Sequence, residues 1–266
     1  MKVFISADIE GCCGVTDWNE AAISHAEYPP FREQMTAEVV AACEGALAAG
    51  AREILVRDAH GSARNLIGAD LPREARLMRA WSGDPMCMVE GLDASFDAAL
   101  FIGYHARAGS GGNPLAHTMS SRSIAGMRLN GRWASEYLVY AQAAATVDVP
   151  VVFLSGDKRI CEEVSEFNPG CGTFAVKSAN GAATHNLHPT EALEGIREGS
   201  ERGLREGREA ARLTLAESHV LEVDYKDTSA AYKKSFYPGA ELAGDRTVRL
   251  GARDYMDVLR AILFLI

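Results

Sequence analysis

Six residues of this chain carry side chains suited to holding and using a metal ion: Asp8, Glu10, His60, His105, His117 and Glu136. Carboxylate oxygens and imidazole nitrogens are the donors that catalytic zinc takes. Asp8 and Glu10 belong to Ser6-Ala7-Asp8-Ile9-Glu10-Gly11, at the end of a stretch (residues 2–9) that alternates as a β-strand. Val3, Ile5, Ala7 and Ile9 share one face, so Asp8 and Glu10 fall together on the other, with Phe4 and Ser6 behind them. Like charges held side by side raise one pKa or recruit a cation. Asp8, Glu10, His60, His105 and Glu136 are more ligands than one catalytic zinc uses. They suit two metals about 3.5–4 Å apart that share a bridging carboxylate.

Positioning these residues requires a parallel α/β frame. After the first strand come a small-residue loop, Gly11-Cys12-Cys13-Gly14-Val15, and a break at Tyr28-Pro29-Pro30. A helix is predicted over 31–49, apolar at Met35, Val39, Ala42, Cys43, Ala46 and Leu47, with Gly50 as its C′ residue. A second strand at 53–56 completes a parallel βαβ unit. His60 then falls just past that strand's carboxyl end, where ligand sites gather in open α/β sheets. A buried strand at 97–102 runs through Gly103 and Tyr104 into His105, and the Gly-rich loop 106–114 delivers His117. Asn130-Gly131, after a strand at 124–129, is a type I′ hairpin signal. Glu136 opens the next helix, a place where the macrodipole alone would favour a carboxylate.

Residues 62–91 read as irregular, with a short strand at 86–89. Further strands are predicted at 149–154, 173–177, 219–225 and 247–250, and helices at 159–167, 189–213 and from Asp254 onward. The charged face of the 189–213 helix reads as solvated, as do Lys158 and Lys177, although either lysine could meet a peptide carboxylate. The expected fold class is α/β, a three-layer αβα arrangement on a mainly parallel sheet with a smaller second α/β subdomain. Residues 1–266 are expected to form one unit whose subdomains share a metal cleft.

Hydrophobic content of 47% and charged content of 24% are those of a folded globular chain. A formal net charge of −9 argues against nucleic-acid binding. No apolar run reaches the roughly 18–20 residues of a membrane span. Met1 leads directly into a strand without a secretory signal, and the six Cys form no C-x-x-C pair, so free thiols and a cytoplasmic location are expected. Side chains of the adjacent Cys12 and Cys13 diverge, which makes them poor candidates for zinc ligation. His25, His185, His188 and His219 lie in loops or near element starts and are read as structural.

Ser6-Ala7-Asp8-Ile9-Glu10-Gly11, Asp58-Ala59-His60-Gly61, Gly103-Tyr104-His105-Ala106, Ala116-His117-Thr118-Met119 and Asn130-Gly131 with Glu136 occur in an order that resembles the zinc-dependent D-aminopeptidase family. That family was first labelled dipeptide transport proteins, and the resemblance covers essentially the whole chain. It implies a dizinc peptidase that removes an N-terminal D-amino acid from short peptides, built as pentameric rings stacked into a decamer. Asp8 would bridge the two Zn²⁺ ions (or Mn²⁺ or Co²⁺), with Glu10, His60, His105 and Glu136 completing their shells. His117 would be the catalytic histidine, described in the family as the nucleophile. A metal-bridging water is the other candidate nucleophile, with His117 as general base or acid.

Three departures bear on this resemblance. Ser135 precedes Glu136 where family members commonly have Gly. Ser155-Gly156-Asp157-Lys158 stands where relatives often have Gly-Asp-Asp, which would reverse one pocket charge. Cys12-Cys13 replace small aliphatic residues near the metals. Two rivals share part of the signal: a metal-dependent amidase of small non-peptide amides, and a non-catalytic peptide-binding component of dipeptide transport.

Overall fold

The computed structural model describes residues 1–266. Seven strands form the main sheet: β1 (Lys2–Ala7), β2 (Glu53–Asp58), β3 (Ala75–Met78), β4 (Ala98–Tyr104), β7 (Val151–Asp157), β8 (Gly172–Asn180) and β9 (Ala183–Asn186). Their order is β3-β2-β1-β4-β7-β8-β9, and every pair is parallel except the β8–β9 hairpin. A second sheet is antiparallel throughout: β5 (Ile124–Leu129), β6 (Arg132–Trp133), β10 (His219–Tyr225), β11 (Ala240–Gly244) and β12 (Thr247–Ala252), ordered β11-β12-β10-β5-β6. The helices are α1 (Trp18–Ala21), α2 (Tyr28–Ala48), α3 (Glu136–Ala145), α4 (Lys158–Phe167), α5 (Pro189–Glu206), α6 (Thr228–Lys234) and α7 (Tyr255–Leu265).

Strand alternation sorts the interior into two cores. Val3, Ile5 and Ala7 of β1 join Ile54, Leu100 and Val152 against Met35 and Val39 of α2 and Ile196 and Leu204 of α5. Phe4 of β1 faces the opposite way, with Phe101, Leu154, Tyr137 of α3, Ile160 of α4 and the inner face of the second sheet. The result is the expected three-layer α/β architecture with a mainly parallel sheet and a smaller antiparallel subdomain. The chain runs outward from β1 to β2 and β3, then returns to place β4 on the other flank of β1. The switch in direction leaves a crevice at the carboxyl ends of β1 and β4, the place where open α/β sheets bind ligands.

Several local expectations need correction. Tyr28-Pro29-Pro30 does not break the chain ahead of α2 but forms its first turn, where a missing N–H costs nothing because no helical partner exists for it. Residues 87–89 form a 3₁₀ turn rather than a strand, and the stretch expected to be irregular contains β3. The helix predicted to reach residue 213 ends at Glu206, followed by Gly207. No helix is long and apolar enough to cross a membrane.

Gly11 shows how closely the first loop is pressed to the sheet. A Cβ there would sit 1.7 Å from the Tyr104 carbonyl oxygen. The Gly11 N–H donates to the Gly103 carbonyl at 2.8 Å, so the Asp8–Glu10 turn and the end of β4 are drawn into direct contact.

Candidate metal centre

The crevice brings all six sequence-selected residues together. Asp8 and Glu10 follow β1, His60 follows β2, His105 follows β4, His117 lies on the loop between β4 and β5, and Glu136 opens α3. Asp8, Glu10, His105 and Glu136 are buried, and the side chains of His60 and His117 are each 12% exposed. Three donor sets form, each with its donor atoms within 4.8 Å of one another: Asp8, Glu10 and His60; Asp8, His105 and Glu136; and Glu10, His105 and His117. The first two share Asp8, which serves them with different oxygens. Its Oδ1 is 3.3 Å from His60 Nδ1, and its Oδ2 is 3.4 Å from His105 Nε2. Glu10 Oε2 lies 2.9 Å from His60 Nδ1, and Glu136 Oε2 lies 3.3 Å from His105 Nε2.

Backbone carbonyls aim every imidazole. His60 Nε2–H donates to Ala21 O at 2.8 Å, His105 Nδ1–H to Ala106 O at 3.0 Å, and His117 Nδ1–H to Leu115 O at 2.9 Å. Each ring therefore turns its other nitrogen, as a lone pair, into the centre, which is the usual outer support of a metal-binding histidine. The His105 and His117 rings stack at 4.3 Å, and the Trp18 indole meets His117 edge-on at 5.3 Å. His117 Nε2 faces Glu136 Oε1 at 3.7 Å and Glu10 Oε1 at 4.0 Å.

The electrostatics call for cations. Three carboxylates buried together carry a charge that costs several kcal/mol per ion unless compensated. Burial, then the neighbouring Glu10 charge, pushes the Asp8 carboxyl up to about 6. Burial alone would raise Glu10 as well, but the adjacent His60 holds it well below the usual carboxylate range. Burial opposes charge on His60 and His105, yet Glu10 and Glu136 beside them drive both imidazoles well above their ordinary value. Positive charge is thus demanded on the line between each histidine and its glutamate. Glu10 Oε2 and His105 Nε2 are buried and have no aligned hydrogen-bond partner despite these short separations. Lone pairs converging without hydrogen-bond alignment fit a metal ion, and the all-N/O donor set suits zinc.

A family model described as D-aminopeptidase, of peptidase family M55, matches residues 1–264. The chain belongs to the D-aminopeptidase family. It is 34% identical over 270 residues to a D-aminopeptidase of Bacillus subtilis (strain 168), covering 99% of this chain and 96% of that protein. A solved structure described as the Zn-dependent D-aminopeptidase DppA from Bacillus subtilis, a self-compartmentalizing protease, superposes with a TM-score of 0.94 at 31% identity. That match covers 100% of this chain and 96% of the other. Membership makes the chain a peptidase, a hydrolase of peptide bonds, and disfavours the reading as a transport component.

Measured against its family, the chain resolves its own departures. Ser135 caps α3 by accepting the Leu138 N–H at 3.3 Å, leaving Glu136 in the first turn aimed into the centre. Lys158 reverses no pocket charge: it points outward, 3.6 Å from Glu162. Lys177, expected to be solvated, is buried and donates to the carbonyls of Glu10 at 2.6 Å and Val15 at 2.5 Å. Cys12 and Cys13 lie outside the donor sets; their thiols donate to Asp8 O and Leu187 O. Among the other histidines, His188 caps α5 and His219 packs against Tyr255.

Sequence reading missed Asn113 and Asp157. Asn113 donates through Nδ2 to Glu10 O and to Asp157 Oδ2, both at 2.9 Å, and accepts the Leu115 N–H at 2.8 Å. Leu115 O in turn receives His117 Nδ1–H. Asp157 Oδ2 also takes the Ala106 N–H, beside His105, at 2.8 Å, while Oδ1 caps α4. One buried network thus ties the backbones of Glu10, His105 and the His117 loop. Only the position of Asp157, at a strand end before a helix, signalled any of it. Asn113→Ala is expected to lower turnover about tenfold to a hundredfold through misplacement of His117, with metal content retained. Steady-state kinetics alongside elemental analysis check this, and wild-type turnover in the variant would contradict it.

Proposed function

We propose that this protein is a zinc-dependent D-aminopeptidase with two zinc ions per chain, acting on the N-terminal residue of short peptides. One observation carries the reading: the two oxygens of Asp8 are divided between two three-residue donor sets. Asp8, Glu10 and His60 would hold one ion and Asp8, His105 and Glu136 the other, with Mn²⁺ or Co²⁺ compatible with the same donors. Zinc bound there supplies Lewis acidity, polarising a carbonyl oxygen and acidifying water.

The rest of the chemistry belongs to the chain. His117 Nε2 carries the free lone pair, because Nδ1–H is committed to Leu115 O. That lone pair is what either a general base or a nucleophile requires at a scissile carbonyl. Stacking on His105 and the edge of Trp18 hold the ring in place, so reaction needs no reorientation. Met119 takes a left-handed φ of 63° and gives its N–H to Glu136 Oε1 at 2.7 Å, locking the loop two residues beyond His117 to the metal-facing carboxylate. Preference for a D-residue rests on family membership.

His117→Ala is expected to keep its metal and lose about a hundredfold or more in turnover. Chelator-treated wild type should lose hydrolysis of D-alanyl-glycine and regain it with zinc, with D-alanyl-glycine cleaved in preference to L-alanyl-glycine. Chelator-insensitive hydrolysis would contradict the reading. Cleavage of simple amides without any dipeptide turnover would favour the amidase alternative.

A homo-oligomer, built as pentameric rings stacked into a decamer, is part of the same proposal. It is supported by the self-compartmentalizing relative and by the exposed aromatic side chains Tyr232, Phe236 and Phe264 on and beside α6 and α7, where Tyr232 meets Phe236 edge-on and Phe264 stacks on the half-buried Tyr237. Light scattering should return about ten times the chain mass; a monomeric mass would overturn it. The six unpaired cysteines fit a cytoplasmic, reducing location.

A further inference from the structure

The cavity above the metal centre has a volume of about 460 Å³, the size of a small-ligand site rather than of a groove for an extended polypeptide. Asp8, Glu10 and Glu136 give it an acidic floor, and among its lining residues Arg122 is the one lysine or arginine. Arg122 lies five positions beyond His117 on the same loop. The turn that carries it is held on both sides: Ile124 N–H donates to Ser120 O at 3.1 Å, Ser123 Oγ bonds Ser120 Oγ at 2.8 Å, and Lys226 Nζ donates to Ser121 O at 2.6 Å. The guanidinium itself is exposed and takes no carboxylate partner from the chain. A pinned turn thus presents an uncommitted cation to a cavity that is otherwise acidic.

A free dipeptide or tripeptide is a zwitterion whose charged ends are at most about 7–11 Å apart when extended. Its ammonium end suits the carboxylate floor, and its carboxylate suits a planar guanidinium, which can grip both oxygens at once. We infer that Arg122 binds the C-terminal carboxylate of the substrate, making this enzyme selective for very short peptides with a free C-terminus. This rests on the aminopeptidase reading above and adds a specificity-determining residue to it. The serines that flank Arg122 carry no charge and leave that role to the guanidinium alone.

The test compares D-alanyl-glycine with its C-terminal amide, D-alanyl-glycinamide, on the zinc-loaded protein. Wild type should favour the free acid in kcat/KM, and Arg122→Ala should reduce that ratio about tenfold or more, through the KM of the free acid. Arg122→Glu should reduce the ratio further, and Arg122→Lys, which keeps a point charge without the planar fork, should fall between. An unchanged ratio in Arg122→Ala and Arg122→Glu would overturn the assignment while leaving the aminopeptidase reading intact. Failure of wild type to cleave either substrate would instead overturn that reading, and this inference with it.

Discussion

The constraint on which the structure depends is the sharing of one carboxylate, Asp8, between two sets of donors. Its Oδ1 faces His60 and Glu10, and its Oδ2 faces His105 and Glu136. Three buried carboxylates in such proximity are intolerable without compensating charge. That demand explains why the surroundings are built as they are. The imidazoles are fixed by backbone carbonyls, so their inner nitrogens converge on the carboxylates, and His105 Nε2 has no aligned hydrogen-bond partner there.

The sheet makes the sharing possible. Because the strand order reverses around β1, the segments after β1, β2 and β4 arrive at one crevice from three directions. Gly11 allows the first loop to lie directly against the end of β4, and Lys177 and Asn113 tie the Glu10 carbonyl from below. Asn113 and Asp157 extend that support to the His117 loop. The Glu10 backbone, the segment after His105 and the His117 loop are therefore held by one network.

Much of this was legible in the sequence, and the reasons are physical. A period of two fixed Val3, Ile5 and Ala7 on one face and Phe4 on the other, as the two cores show. Apolar strands ending in a Gly and a histidine within two residues of each other marked the carboxyl ends of β2 (His60-Gly61) and β4 (Gly103-Tyr104-His105). The remainder depended on long-range contacts that local patterns do not encode. Tyr28-Pro29-Pro30 reads equally as a break or as a first helical turn until α2 has something to pack on. Lys177 reads as solvated because a buried lysine is tolerated only when carbonyls from elsewhere meet it, here those of Glu10 and Val15. Asn113 sits in a Gly-rich stretch with nothing local to distinguish it, and its partners are 103 and 44 residues away.

The shared carboxylate is tested most directly by the number of metal ions each chain binds. Elemental analysis of protein purified without a nickel-affinity step should give about two zinc, manganese or cobalt ions per chain. A single ion would contradict the bridging role of Asp8. No ion, even after reconstitution with zinc, would contradict the metal centre itself.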